Sequence, residues 1–278
     1  MTAGTQLSGP GAIGLATGGR LVRGVRDWLP AAIVFVGLIV LWQALVVGLS
    51  IERFILPAPV EIGQAFVLYF SEIVAAGTYT AIEAVGGLVI GVLAGLAVGL
   101  ITARWVAMRE SLLPFAIIFN SVPIIAFAPI MNNWFGLANP LSKMAIAAIL
   151  VFFPVMINTV RGLTQVNPAA LELMRASAAS EFDVLRKVRI PNALPFIFTA
   201  LKVAATLATI GAIVAEYFGA PRASLGQYIA QHAAYFNFER SWAAIIIAAA
   251  IGIGLYMVVV VVERLIMPWH TSFRPNER

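Results

Sequence analysis

Apolar residues along most of this chain neither alternate nor recur as a stripe; they run on without interruption. Residues 29–49 hold 21 positions without a formal charge. Crossing a hydrocarbon layer of about 30 Å takes roughly 20 helical residues, so this run predicts a first span. A second is clearest over residues 84–103, where Gly87, Gly91, Gly95 and Gly99 recur every four residues on one helical face. Association in lipid depends on close packing, so that face predicts a helical neighbour. No charge falls within residues 111–142, too long a stretch for one span. Pro114, Pro123 and Pro129 interrupt it, and "NNWFGLANP" marks a turn over 132–140. A third span therefore closes near Trp134. Residues 141–160, 195–215 and 241–262 complete six. Backbone polar groups in lipid must be satisfied within the segment, and runs this continuous exclude the alternating strands of a barrel.

Composition agrees. Hydrophobic residues make up 61% and charged ones 11%, with mean hydropathy +0.93, against about 25% charged in soluble domains. The fold class is an all-α integral membrane protein. Cysteine is absent, which excludes disulfides and thiolate metal sites. Residues 1–19 are rich in Gly, Ser, Thr and Ala, and residues 1–27 are expected to be a flexible cytoplasmic tail. The first apolar run is longer than a signal peptide's and is read as a retained span.

The net charge of +5 and pI near 9.9 mark cytoplasmic loops rather than nucleic-acid binding, because of where the charges fall. With the amino terminus inside, inward segments carry thirteen Lys/Arg. Outward ones carry four, Arg53, Lys143, Arg222 and Arg240. Both termini and the long connection after the fourth span are therefore expected in the cytoplasm. Lys143, at the outer end of its span, is expected to snorkel to the interface.

That connection contains "LELMRASAASEFDVLRKVRIPNALP", a dense block of charge in an apolar chain. Asn167 and Pro168 form a helix-start signal, and Ser180 begins a second helix with Glu181 and Asp183 in its first turn and Arg186 and Lys187 at its end. Small residues from Ala176 to Ser180 lie between the two. On spacing alone, the insert is either an interfacial hairpin joining two spans or a corner on which a partner docks.

Glu172, Ala178 six residues later, and "IPNALP" with Pro191 thirteen beyond that resemble the EAA loop of permease subunits from ATP-binding cassette importers. Leu173 and Met174 replace the two alanines of that loop, and Ala178 replaces a glycine that would allow a left-handed turn. "LPAPVEI", "SVPIIAFAPIMNNWFG", "FFPVMINTVRGL", "AEYFGAPRASLGQYI" and "ERLIMPWH" are similar to the nitrate/sulfonate/taurine branch of these permeases. The resemblance implies a type I importer architecture. One permease domain would span 28–270, with a coupling loop at 161–191 and a cytoplasmic tail at 271–278. Glu172 would face a basic group of a separate ATPase subunit, with Ala176, Ser177, Ala178 and Ser180 as the close-packed corner. The implied partners are nucleotide-binding ATPases, a second permease copy or paralogue, an extracytoplasmic substrate-binding protein and the lipid of a bacterial inner membrane. No phosphate loop of the form G-x-x-x-x-G-K-[ST] occurs. ATP and Mg are therefore expected on the partner ATPase, with no cofactor bound by this chain, which is expected to be a non-catalytic subunit.

Pro114, Pro123, Pro129 and Pro154 break helices where freed carbonyls face protein or a wet cavity. Asn120, Ser121, Pro123 and Pro129 are thus candidates to line a substrate path, with packing adjustment as the competing reading. Lys202, inside the fifth span, reads either as a counter-ion for an anionic substrate or as a side chain reaching back to the interface. Glu83 and Glu216 are expected near the outer ends of their spans, touching an external binding protein or reaching water. His232 and His270 have no metal-ligating companions and are expected at the surface. A secondary transporter would show duplicated halves with matching broken helices, and none are visible. A membrane enzyme needs convergent acids, bases or nucleophiles, which the spans lack. The resembling branch carries nitrate, sulfonates and taurine, and also compounds such as riboflavin or hydroxymethylpyrimidine; the absence of a cation cluster tilts the expectation toward an organic solute.

Overall fold

The structure, a computed structural model, describes residues 15–220 and 224–269, with side chains from residue 29 onward. Residues 1–14 of the amino-terminal tail, Arg222, His270 and the carboxy-terminal tail lie outside the described residues. The chain divides into two compact units, the first ending at Gly63 and the second beginning at Gln64.

In the first unit, α1 (Leu15–Gly48) contains the expected span as Leu29–Gly48 and starts well before it. After α1 the chain turns through Ser50 at φ 50°. Helix α2 (Pro59–Leu68), whose residues from Gln64 onward belong to the second unit, carries Glu61 in its first turn. Glu61 Oε2 accepts from the Ala58 N–H at 3.2 Å, and its other oxygen pairs with Arg53 at 2.7 Å, so one carboxylate satisfies an orphan donor and an arginine together.

The second unit is built on α3 (Phe70–Arg104), α6 (Pro140–Thr164), α9 (Ile190–Tyr217) and α11 (Phe238–Ile266). Helix α6 packs against both α3 and α9, which also touch each other. Gly87, Gly91, Gly95 and Gly99 of α3 are all buried, and the seam they form with α6 meets the expectation of a helical neighbour. A Cβ on Gly91 would lie 2.5 Å from the Ala148 carbonyl oxygen and 2.8 Å from Val151 Cβ. Only a bare backbone permits that approach. Alanines dominate the facing side of α9, where Ala200, Ala204 and Ala208 join Val151 and Val155 in one core cluster.

Five helices among the described residues are long and apolar enough to cross a membrane. A sixth crossing is made if α4 (Val106–Phe119) is taken with the following segment to Phe135. That third span is not one kinked helix. Its halves bend by 80° across a turn at 120–123, and the second half is a short 3₁₀ stretch (Ile124–Phe127) followed by α5 (Ala128–Phe135). Pro123 and Pro129 each remove a backbone donor, and between them the chain takes 3₁₀ rather than α-helical bonds, the Ala126 N–H donating to the Pro123 carbonyl at 2.8 Å. Pro154, by contrast, is accommodated within a continuous α6, with Asn158 Nδ2 donating to the Pro154 carbonyl at 2.8 Å.

The polar insert begins with α7 (Pro168–Ala176). The second helix starts at Ser180 as expected but does not end at Arg186 and Lys187. Instead α8 (Glu181–Val184) runs through a widened π segment (Leu185–Arg189) directly into α9. Pro191 and Pro195 would clash with carbonyls four residues back in regular helix, and a widened turn carries the chain past Pro191 without a break.

Candidate functional site

Asn167 caps α7, its Oδ1 accepting from the Ala169 N–H at 3.0 Å. At the other end the Ala179 N–H donates to the Met174 carbonyl and the Ala178 N–H to the Arg175 carbonyl, both at 3.0 Å. This pair of bonds is a Schellman closure, and Ala178 occupies its left-handed position at φ 51°. The substitution of alanine for the motif glycine therefore does not abolish the turn; the alanine adopts it, at a cost of about 1–2 kcal/mol. Ser177 Oγ donates to the Leu173 carbonyl at 2.9 Å. Ser180 caps the next helix by accepting from the Asp183 N–H at 3.2 Å, while its hydroxyl donates to Asp183 Oδ2 at 2.6 Å. Lys187 pairs with the same aspartate at 2.8 Å.

The corner so fixed is bare. No residue of α7 is buried, and Leu173 and Phe182 are each 67% exposed. Glu172, Ala176, Ser177, Ala178 and Ser180 form one contiguous segment, and Glu172 has no ion pair among the described residues. Two residues missed in the sequence hold the frame beneath. Asn192 Nδ2 donates to the Gly162 and Gln165 carbonyls at 2.8 and 3.0 Å, and Arg189 donates to the Leu163 carbonyl at 3.2 Å. These are the orphan carbonyls at the end of α6, so the two ends of the insert are clamped together. An asparagine flanked by prolines was the available signal.

Asn120, Ser121, Pro123 and Pro129 cluster at the break between α4 and α5 and are all exposed in the single chain. Lys202 is separate from them. Its Nζ lies 2.6 Å from the Glu263 carboxylate on α11, which accounts for its charge without a substrate anion.

Three charged residues are placed against expectation. Lys143 is fully buried and donates to the Leu137 carbonyl instead of snorkelling. Glu83 and Glu216 are 5% and 0% exposed and do not reach water. Glu216 Oε1 accepts from Thr80 Oγ1 at 2.7 Å and Oε2 accepts from the Gly226 N–H at 2.7 Å. Thr80 Oγ1 in turn accepts from the Leu225 N–H at 3.0 Å. Polar partners from α3, α9 and α10 (Leu225–Ala234) draw these groups inward, where hydropathy alone sends them out. His232 is half-buried on α10, its ring 4.2 Å from that of Tyr228. No group of three or more His, Cys, Asp or Glu able to hold a metal occurs among the described residues.

A bundle of apolar helices with one capped, bare polar corner defines a multi-pass membrane transport subunit. Residues 87–269 match the family described as "Binding-protein-dependent transport system inner membrane component", and the chain belongs to it. It is 28% identical over 248 residues to the formylaminopyrimidine transport permease protein ThiX of Halalkalibacterium halodurans, covering 87% of this chain and 96% of that one. It is 31% identical over 239 residues to the riboflavin transport system permease protein RibX of Chloroflexus aurantiacus, covering 84% and 88%. Further relatives bear the names of sulfonate, taurine and nitrate permeases. A crystal structure of an amino acid ABC transporter with histidines shares the fold, with TM-score 0.55 at 19% identity over 73% of this chain and 95% of that one. The expected ABC-importer permease class, within the nitrate/sulfonate/taurine grouping, is thereby met.

Proposed function

We propose that this permease takes a small organic solute from an extracytoplasmic binding protein and is driven, through residues 161–191, by separate ATPase subunits that bind ATP and Mg. The observation that carries the reading is α7: a helix capped at both ends, with none of its residues buried against its own chain. A nine-residue helix has little intrinsic stability in water, so a bare one gains by seating in a partner's groove. Glu172 supplies the charge facing that partner, and Leu173 and Phe182 supply apolar contact. The positive-charge distribution favours placing this corner and both termini in the cytoplasm.

The proposed path runs past Asn120, Ser121, Pro123 and Pro129, completed by a second permease copy or paralogue. Both lysines within spans are engaged inside the chain, Lys143 with Leu137 and Lys202 with Glu263. This favours a neutral heterocyclic solute, of the kind named for the riboflavin and formylaminopyrimidine relatives, over an inorganic anion. Glu172→Arg is the test. ATP-dependent uptake should be lost while the chain still inserts at normal levels; wild-type uptake from that variant would overturn the coupling role.

A further inference from the structure

The end of the bundle that carries the polar corner also holds a cavity of about 550 Å³, within the range of about 300–1,000 Å³ of small-molecule sites. Its walls come from the last turns of α3, from Trp105 just beyond them, from the end of α6 and from the segment that leads through the π turn into α9. The lining changes character along α3. Leu100 and Ile101 belong to the uncharged run of that helix and line the cavity at hydrocarbon depth, with Leu163 and Leu185 completing the apolar part. Arg104 ends the uncharged run, Trp105 follows it, and Arg189 is contributed by the π segment.

The basic groups have donors to spare. Arg104 makes no ion pair among the described residues. Arg189 gives one N–H to the Leu163 carbonyl at 3.2 Å, which leaves most of the five donors of a guanidinium unused. Glu181 also lines the cavity, so two guanidiniums against one carboxylate leave a surplus of positive charge. A basic, Trp-flanked rim above an apolar slot matches an anion that carries a hydrocarbon chain. A free anion fills only the basic part and leaves the slot to water. A water-soluble protein reaches the Arg104 rim but not Leu100 and Ile101, a turn deeper in the span. Basic pockets between spans on the cytoplasmic side are a recurrent setting for anionic lipid headgroups.

We propose that this cavity binds an anionic glycerophospholipid of the cytoplasmic leaflet. Its phosphodiester pairs with Arg104 and the unused donors of Arg189, as guanidinium groups pair with phosphate oxygens. An acyl chain runs past Leu100, Ile101 and Leu163, and Trp105 lies at the level of the glycerol, where amphipathic rings settle. The lipid thereby joins the end of α3 to the segment from which the polar corner projects, and braces the root of that corner. Only the choice of leaflet rests on the orientation proposed above. The site itself does not.

Native mass spectrometry of the full-length protein in detergent, titrated with phosphatidylglycerol, phosphatidylcholine or inorganic phosphate, tests the site without any transport measurement. Phosphatidylglycerol should bind roughly tenfold more tightly than phosphatidylcholine, the worth of one hydrogen bond to a charged group. Arg104→Gln should remove most of that preference. Arg109→Gln, which deletes the same charge from a residue outside the cavity lining, should keep it, and Ala103→Phe, which fills the cavity, should lower retention of both lipids. Equal affinity for the two lipids, or equal losses in Arg104→Gln and Arg109→Gln, overturns the proposal. Displacement of the lipid by inorganic phosphate at matched ionic strength assigns the cavity to a free anion and overturns it as well. Should Arg104→Gln not fold, the fluorescence of Trp105, taken as wild type minus Trp105→Phe, replaces it. Phosphatidylglycerol brominated on its acyl chains should quench that signal more than brominated phosphatidylcholine, and equal quenching refutes the site. Lipid kept by the permease alone but lost from the assembled transporter gives the cavity to the ATPase and equally refutes it.

Discussion

Lys202 Nζ lies 2.6 Å from Glu263 Oε2, joining α9 to α11 by a pair in which the glutamate is nearly buried and the lysine about one quarter exposed. Removing one member of a buried pair strands the other charge, which costs about 3 kcal/mol or more. Lys202→Met should therefore lower the thermal midpoint of the purified protein in detergent, and the double variant with Glu263→Gln should recover most of the loss. An unchanged midpoint in the single variant would show that the pair contributes nothing to the bundle.

The glycine seam makes a sharper contrast. Gly91→Ala puts a methyl against the Ala148 carbonyl and Val151 and should cost about 1–3 kcal/mol by forcing α3 and α6 apart. Gly37→Ala, with nothing within 4 Å of the added atom, should be neutral or stabilising by about 0.5–1 kcal/mol, as helix propensity predicts. Paired melting curves check both.

Ala178→Gly restores the residue that a left-handed Schellman position favours. It should stabilise the corner by about 1 kcal/mol, seen as slower hydrogen exchange at the Ala179 amide, whereas Ala178→Val should speed it. The opposite order would mean that the turn at φ 51° is not the resting conformation.

His232 on α10 has its pKa held below the ordinary value near 6.5, first by burial and then by the nearby Arg240 guanidinium. A depressed folded-state value means the unfolded chain takes up the proton first. Its contribution to stability is therefore complete above the unfolded value and is lost as pH falls through 6.5 toward the folded one. The melting temperature should fall between neutral and mildly acidic pH, and the fall should be smaller in His232→Gln. Identical pH profiles would remove His232 from the account.

What the sequence made legible follows from what hydropathy measures. Run length places the spans, and the four-residue glycine spacing of α3 identifies the face that meets α6, because both are local properties. The caps at Asn167 and Ser180 were legible for the same reason. The 80° break after α4 was read only as proline kinks, since the angle depends on where the freed carbonyls go. Glu83, Glu216 and Lys143 were sent to the outer surface because each is charged and stands near a span end. The burial of Glu216 depends on Thr80 and the Gly226 N–H, and that of Lys143 on the Leu137 carbonyl, partners that a hydropathy profile does not see. Ala178 lay between: the position was recognised, but whether alanine would take up the left-handed turn is a question of tertiary support.

The native chain has no cysteine, so Ala176→Cys introduces one reporter at the end of α7. In membranes containing the assembled transporter, this thiol should crosslink to a nucleotide-binding ATPase subunit and resist a membrane-impermeant thiol reagent added from outside. Labelling from outside, with no ATPase crosslink, would contradict the account.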